Sequence, residues 1–204
     1  IPGCELISVE KMQSTQAMRA IADHSDKTYT LLYTKHTALK IGMFALERMV
    51  QVMEMTQAGM VYADHYQQID GVQKTAPVID YQPGSLRDDF NFGSVLLFNA
   101  NAFKEVIENT EEEYQYAGLY DLRLKISQKS KLVHINEYLY TEVESDKRKS
   151  GEKQFDYVDP KNRQVQIEME QACTNHLKEI GGYLYPIFRP VDFSSHTFEY
   201  EASV

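Results

Sequence analysis

The chain has 204 residues, 43% of them hydrophobic and 25% charged, a composition that excludes an intrinsically disordered chain. Its formal net charge of −9 argues against nucleic-acid binding as the main role, because phosphate contacts need a basic face. At this length a core can hide roughly 70% of the unfolded surface, so neither disulfide nor metal is required for folding.

Two cysteines, Cys4 and Cys173, make no disulfide framework and fit a reducing compartment. No run approaches the ~20 apolar residues of a membrane span. The longest apolar-rich stretch, 41–55, is broken by Glu47, Arg48, Gln51 and Glu54. The chain opens without an initiator Met or a basic leader, which is expected of a piece of a longer protein.

Residues 4–9 alternate apolar with polar and predict a short strand. Ser14 or Thr15 then caps a helix over 16–22. Residues 29–33 are aromatic and apolar, as in a buried strand. Apolar residues at 39, 43, 46, 50 and 53 predict a helix over 39–55, with Gly59 as its left-handed cap. Residues 60–63 form a strand ending at Asp64.

Residues 65–92 carry Gly71, Pro77, Pro83 and Gly84 and predict a long loop, long enough to fold over something functional. A strand follows at 94–98, then a helix at 102–107 capped by Asn99 or Asn101. The segment 119–126 fits a helix or a strand equally well. Residues 132–135 and 138–143 are strand-like. The charged run 144–158 predicts a solvated loop, and Asp159-Pro160 opens a helix to about Ile180 that turns Val165, Met169, Ala172, Cys173 and Ile180 inward. The division is a core over 1–145 and a charged loop, helix and tail over 146–204. Alternating strands and helices predict an α/β fold with a mostly parallel sheet and helices on both faces.

Several runs in order resemble family-2 glycosyltransferases, which have the GT-A fold and transfer a sugar from a nucleotide-sugar. They are CELISVEKMQST (4–15), YTLLY (29–33) followed by Thr34-Lys35-His36, MVYAD (60–64), GSVLLFNANAFKEVI (93–107), AGLYDLRLKIS (117–127) and LVHINEYLYTEV (132–143). The resemblance implies a GT-A-like domain of bacterial polysaccharide biosynthesis, working in the cytoplasm on a nucleotide-sugar and a glycan acceptor. It implies that the family's first strand and helix would precede Ile1. The end FEYEASV (198–204) is similar to the first strand of a second glycosyltransferase domain in the parent chain.

The family's Asp-x-Asp motif for Mn²⁺ or Mg²⁺ falls on Thr34-Lys35-His36, so the divalent-cation motif is absent. Lys35 and His36 then stand where cations would meet the donor phosphates directly. Glu10 falls near the nucleotide-base acid. The family's Glu-Asp falls on Gly118-Leu119, three residues before Asp121. Candidates for the carboxylate that takes the acceptor's proton are Asp64, Asp88, Asp89 and Asp121. Asp121 reads equally as an acid at a helix N-terminus. Arg87 beside Asp88 and Asp89 makes a charged group in the long loop, suited to a sugar hydroxyl or a metal, and also readable as a solvated charge run. A different reading is a catalytically degenerate module that recognises a glycan or docks a catalytic partner. His65, His134, His176 and His196 show no metal-ligand spacing and read as structural or surface residues.

Overall fold

A computed structural model describes residues 7–144 and 163–187 of the chain. The elements in order are α1 (Thr15–His24), β1 (Tyr29–Tyr33), β2 (Ala38–Ile41), α2 (Ala45–Thr56), β3 (Met60–Ile69), β4 (Val72–Ala76), β5 (Val95–Asn99), α3 (Ala100–Glu108), α4 (Gly118–Lys129), β6 (Leu132–Glu144) and α5 (Arg163–Glu179). The charged run after Glu144, the Asp159-Pro160 cap and the end segment 198–204 lie outside the described residues, as do Cys4 to Leu6 of the first expected strand. Residues 7–9 carry no strand.

The sheet corrects the expected architecture. Its order is β1-β5-β3-β6-β2, with β4 added to β3. It is a curled mixed sheet and not the mostly parallel sheet of a GT-A-like fold. Among the described strands only β3 and β6 run parallel; β1–β5, β5–β3, β3–β4 and β2–β6 are antiparallel. Alternating strands and helices imply crossovers, but β5 follows the long segment 77–94. That segment returns the chain so that β5 wedges between β1 and β3 in the opposite direction.

Local signals explain most elements. The Ser14 hydroxyl accepts from Ala17 N at 3.0 Å, and α1 buries Ala17, Met18 and Ala22. The Asn99 side chain accepts from Asn101 N and Ala102 N, opening α3. The expected helix over 39–55 is shorter. Ala38–Ile41 pairs with β6 instead, and Gly42 N donates to Leu139 O at 2.9 Å. The helix starts at Ala45 and ends at Gln57, which takes the left-handed conformation with φ 53°. Gly59 serves a different need: a Cβ there would lie 2.7 Å from both Ile126 Cγ2 and Ser130 Cβ. The expected loop 65–92 is partly a hairpin, since β3 continues to Ile69 and β4 folds back on it.

Alternation along the strands splits the core. Met60 and Tyr62 of β3, with Leu96 and Phe98 of β5, face α1, α3 and α4. Val61 and Ala63, with Val95, Leu97 and Tyr140, face α2. Each large side chain buried here contributes roughly 1.5–3 kcal/mol. Helix α5 packs on α4 through Ala172. Its buried Glu168 accepts from Tyr116 N (2.7 Å) and Ala117 N (3.3 Å), satisfying backbone donors at the start of α4 that no local side chain caps. Ile180, expected inward, is half exposed just past the helix end.

Candidate functional site

Segment 77–94 crosses the α1/α3/α4 face and is pinned at three places. At its start, Val78 N donates to Asp64 Oδ1 (2.8 Å), and Tyr62 Oη donates to Ile79 O (2.8 Å). In its middle, the Tyr120 hydroxyl donates to Leu86 O, and Arg123 donates to the carbonyls of Ser85 (3.3 Å) and Arg87 (2.9 Å). At its end, Ser94 N donates to Tyr140 Oη at 2.9 Å. The stretch between the last two anchors walls a cavity of about 380 Å³. Phe98, Leu96 and Met60 form its floor; Asp88, Asp89, Asn91 and Phe92 come from the segment; Tyr116, Tyr120 and Arg123 come from α4 and its approach.

A second feature lies at the first anchor. His134, on β6 beside Tyr62, places Nε2 2.9 Å from Asp64 Oδ1 and Nδ1 2.7 Å from Asp80 Oδ1. Asp64 is 1% exposed and Asp80 78%. Each ring nitrogen thus faces one carboxyl oxygen, so the ring bridges the sheet and the segment. The ring stacks on Tyr62 at 5.2 Å, and Tyr62 meets Phe92 edge-on at 4.9 Å. The cluster therefore ties the segment to the sheet and connects by rings to the cavity wall.

The sequence-predicted residues separate into groups. Asp89 lines the cavity, and Arg87 holds it by two bonds of 2.9 and 2.8 Å. The Arg87 guanidinium keeps the Asp89 carboxyl below the ordinary aspartate range. Asp64 shares that face of the sheet but is buried under Val78 and His134. Lys35 is on the other face, where Nζ donates to Glu142 at 2.5 Å beside His65. His36 is exposed in the bend after β1, and Glu10 is exposed ahead of α1.

Asp121 sits in the first turn of α4, away from the cavity lining, with Lys125 Nζ 2.9 Å from it and Glu112 on the same lysine at 2.8 Å. Burial raises the Asp121 carboxyl above its ordinary range, although Lys125 opposes the shift. Thus Asp64 with Asp80, Asp89 with Arg87, Lys35 with Glu142, and Asp121 with Lys125 form four clusters, and the structure does not gather them in one pocket. Among the described residues no group of three His, Cys, Asp or Glu side chains is placed to hold a metal ion. No helix of the described residues is long and apolar enough to cross a membrane.

Sequence reasoning missed three contributors: Arg123, His134 and Asp80. A signal existed for His134. It interrupts the apolar run Leu132 to Ile135, and a titratable group inside a buried strand needs a partner. Arg123 similarly falls among Leu122, Leu124 and Ile126 in α4. No family model matches the chain, and no curated protein matches it.

Proposed function

We propose that the chain is a sugar-handling domain that takes part in moving a sugar from a nucleotide-sugar to a glycan acceptor during polysaccharide assembly. The observation that carries this reading is the cavity beneath segment 88–93. Its aromatic walls offer faces to the C–H side of a sugar ring, while Asp88, Asp89 and Asn91 offer hydrogen-bond partners to hydroxyls. The ordered resemblance to family-2 glycosyltransferases supplies the reaction class. On this reading the work is done in the bacterial cytoplasm, where the chain cooperates with a second glycosyltransferase domain.

Asp88 and Asp89 are the predicted acids that line the cavity, and Asp89, oriented by Arg87, is the first to test as the acceptor's base. The test is transfer from a panel of UDP- and GDP-sugars to oligosaccharide acceptors by the intact protein. Replacing Asp89 with Asn should reduce transfer by roughly 10²-fold or more, the lower range for a lost general base. Equivalent losses in Asp64→Asn or Asp121→Asn, with Asp89→Asn active, would move the role to those residues.

A second reading, a module that recognises a glycan without catalysis, is favoured by one observation. Lys35 and Asp64 occupy opposite faces of the sheet, so the expected phosphate cation and acid do not meet. Glycan binding with no transfer from any donor would select it.

A further inference from the structure

Arg123 is a buried cation with no counter-ion among the described residues. It is 5% exposed. Its guanidinium lies among the rings of Tyr120, Phe92 and Tyr81, at 4.8, 5.4 and 5.8 Å from their centroids. Its hydrogen bonds to Ser85 O and Arg87 O are to neutral carbonyls. Among the described residues no carboxylate forms an ion pair with it. Arginine is almost never this buried unless paired, because a desolvated charge needs a partner of opposite sign. Asp88 acts on it electrostatically without an ion pair, its side chain exposed at the cavity rim.

Arg123 also lines the 380 Å³ cavity, and its guanidinium sits against the Phe92 and Tyr120 rings that form the cavity's walls. We infer that the cavity takes a monosaccharide that carries an oxyanion, a carboxylate or a phosphate, and that Arg123 is the group that pairs with it. This deepens the sugar-handling reading and rests on it. A cavity of this volume is at the small end of ligand sites, which suits one ring and its substituents and not a whole nucleotide-sugar. The planar fork matches either oxyanion in a way that an ammonium does not. Phe92 and Tyr120 then flank the ring, and the Asn91 amide, whose oxygen already accepts from Gly93 N at 2.9 Å, has its N–H groups left for a hydroxyl. Asp88 at the rim opposes an anion, so it tunes affinity downward.

The test is calorimetric titration of the intact protein with glucuronate, galacturonate, glucose 1-phosphate and glucose. An acidic sugar should bind at least tenfold more tightly than glucose. Arg123→Lys, which keeps the charge and loses the fork, should weaken that binding by roughly tenfold or more. Asp88→Asn, at an exposed position where folding is not at risk, should tighten binding of the acidic sugar several-fold and change glucose binding far less, because the amide keeps an oxygen for a hydroxyl. Binding of the uronates alone assigns a carboxylate, and binding of glucose 1-phosphate alone assigns a phosphate. If glucose binds as tightly as the acidic sugars, or if both variants bind them as the unaltered chain does, the inference fails while the sugar-handling reading stands. If no sugar binds at all, both fail together.

Discussion

Glu142 accepts a hydrogen bond from Lys35 Nζ at 2.5 Å, with the carboxylate 1% exposed and the lysine 34% exposed. Burial pushes this carboxyl up, but the Lys35 bond and the nearby His65 outweigh it, so it titrates below its ordinary value of 4.5. A depressed carboxylate adds stability above its unfolded value and loses it as pH falls through the folded one. Glu142→Gln should therefore lower stability near neutral pH by about 1.5–3 kcal/mol, the range for a lost hydrogen bond to a charged group. The difference should shrink to nothing once the pH falls well below 4.5. Urea denaturation at several pH values checks this. A deficit of constant size down to the lowest pH would contradict it.

Three glycines separate steric from conformational effects. A Cβ at Gly118 would lie 2.3 Å from Thr15 N and 2.4 Å from Ser14 C, backbone atoms at the start of α1. One at Gly93, where φ is +74°, would lie 2.2 Å from Tyr140 Oη, which accepts from Ser94 N. Gly71, with φ +83°, has nothing within 4 Å. Alanine at Gly71 should cost only about 1 kcal/mol, from backbone strain. Alanine at Gly93 should cost more, and at Gly118 most, because there the obstructing atoms are backbone. Thermal unfolding of the three variants gives the order directly; equal losses would contradict the account.

Asp121 behaves oppositely to Glu142. Burial raises its carboxyl above the ordinary 3.8, so the folded state favours the protonated form. Its contribution is fully present below 3.8 and declines as pH rises through the raised value. Asp121→Asn, with Lys125 keeping Glu112 at 2.8 Å, should gain stability relative to the unaltered chain as pH rises from about 3.8 toward neutral. Denaturation curves that diverge the other way would show that the Lys125 pair dominates.

Asp64 fixes the start of segment 77–94 through Val78 N and His134. Asp64→Asn should cost about 1.5–3 kcal/mol, as for a buried hydrogen bond to a charged group. Amide exchange at Val78 should quicken, while exchange in α2 should not. Unchanged exchange at Val78 would exclude this anchoring role.

The sequence made the short-range structure legible and left the long-range structure hidden. Ser14 and Asn99 announce their helices because a cap acts within three residues. The apolar runs 29–33, 60–63 and 94–98 announce strands by composition alone. Strand direction is not local: nothing in Tyr29–Tyr33 records that it opposes Val95–Asn99 across more than sixty positions. Ala38–Ile41 was hidden for the same reason. Leu39 keeps helical spacing with Met43 and Leu46, yet the partner that makes it a strand is Tyr140 to Val143. At the site, Asp89 and Asp64 could be named from their motifs. Asp80 and His134 could not be joined, since 54 residues separate them and they meet at 2.7 Å only because β6 pairs with β3 and segment 77–94 is anchored to β3 through Val78 and Ile79.

The most direct test of the account is an NMR titration of the intact, isotope-labelled protein with the nucleotide-sugars and monosaccharides named above. The account predicts saturable shift changes confined to Asp88–Gly93, Tyr116, Leu119, Tyr120 and Arg123, the walls of the cavity. Saturable changes centred instead on Lys35, His65 and Glu142 across the sheet, or no change with any sugar at millimolar concentration, would contradict it.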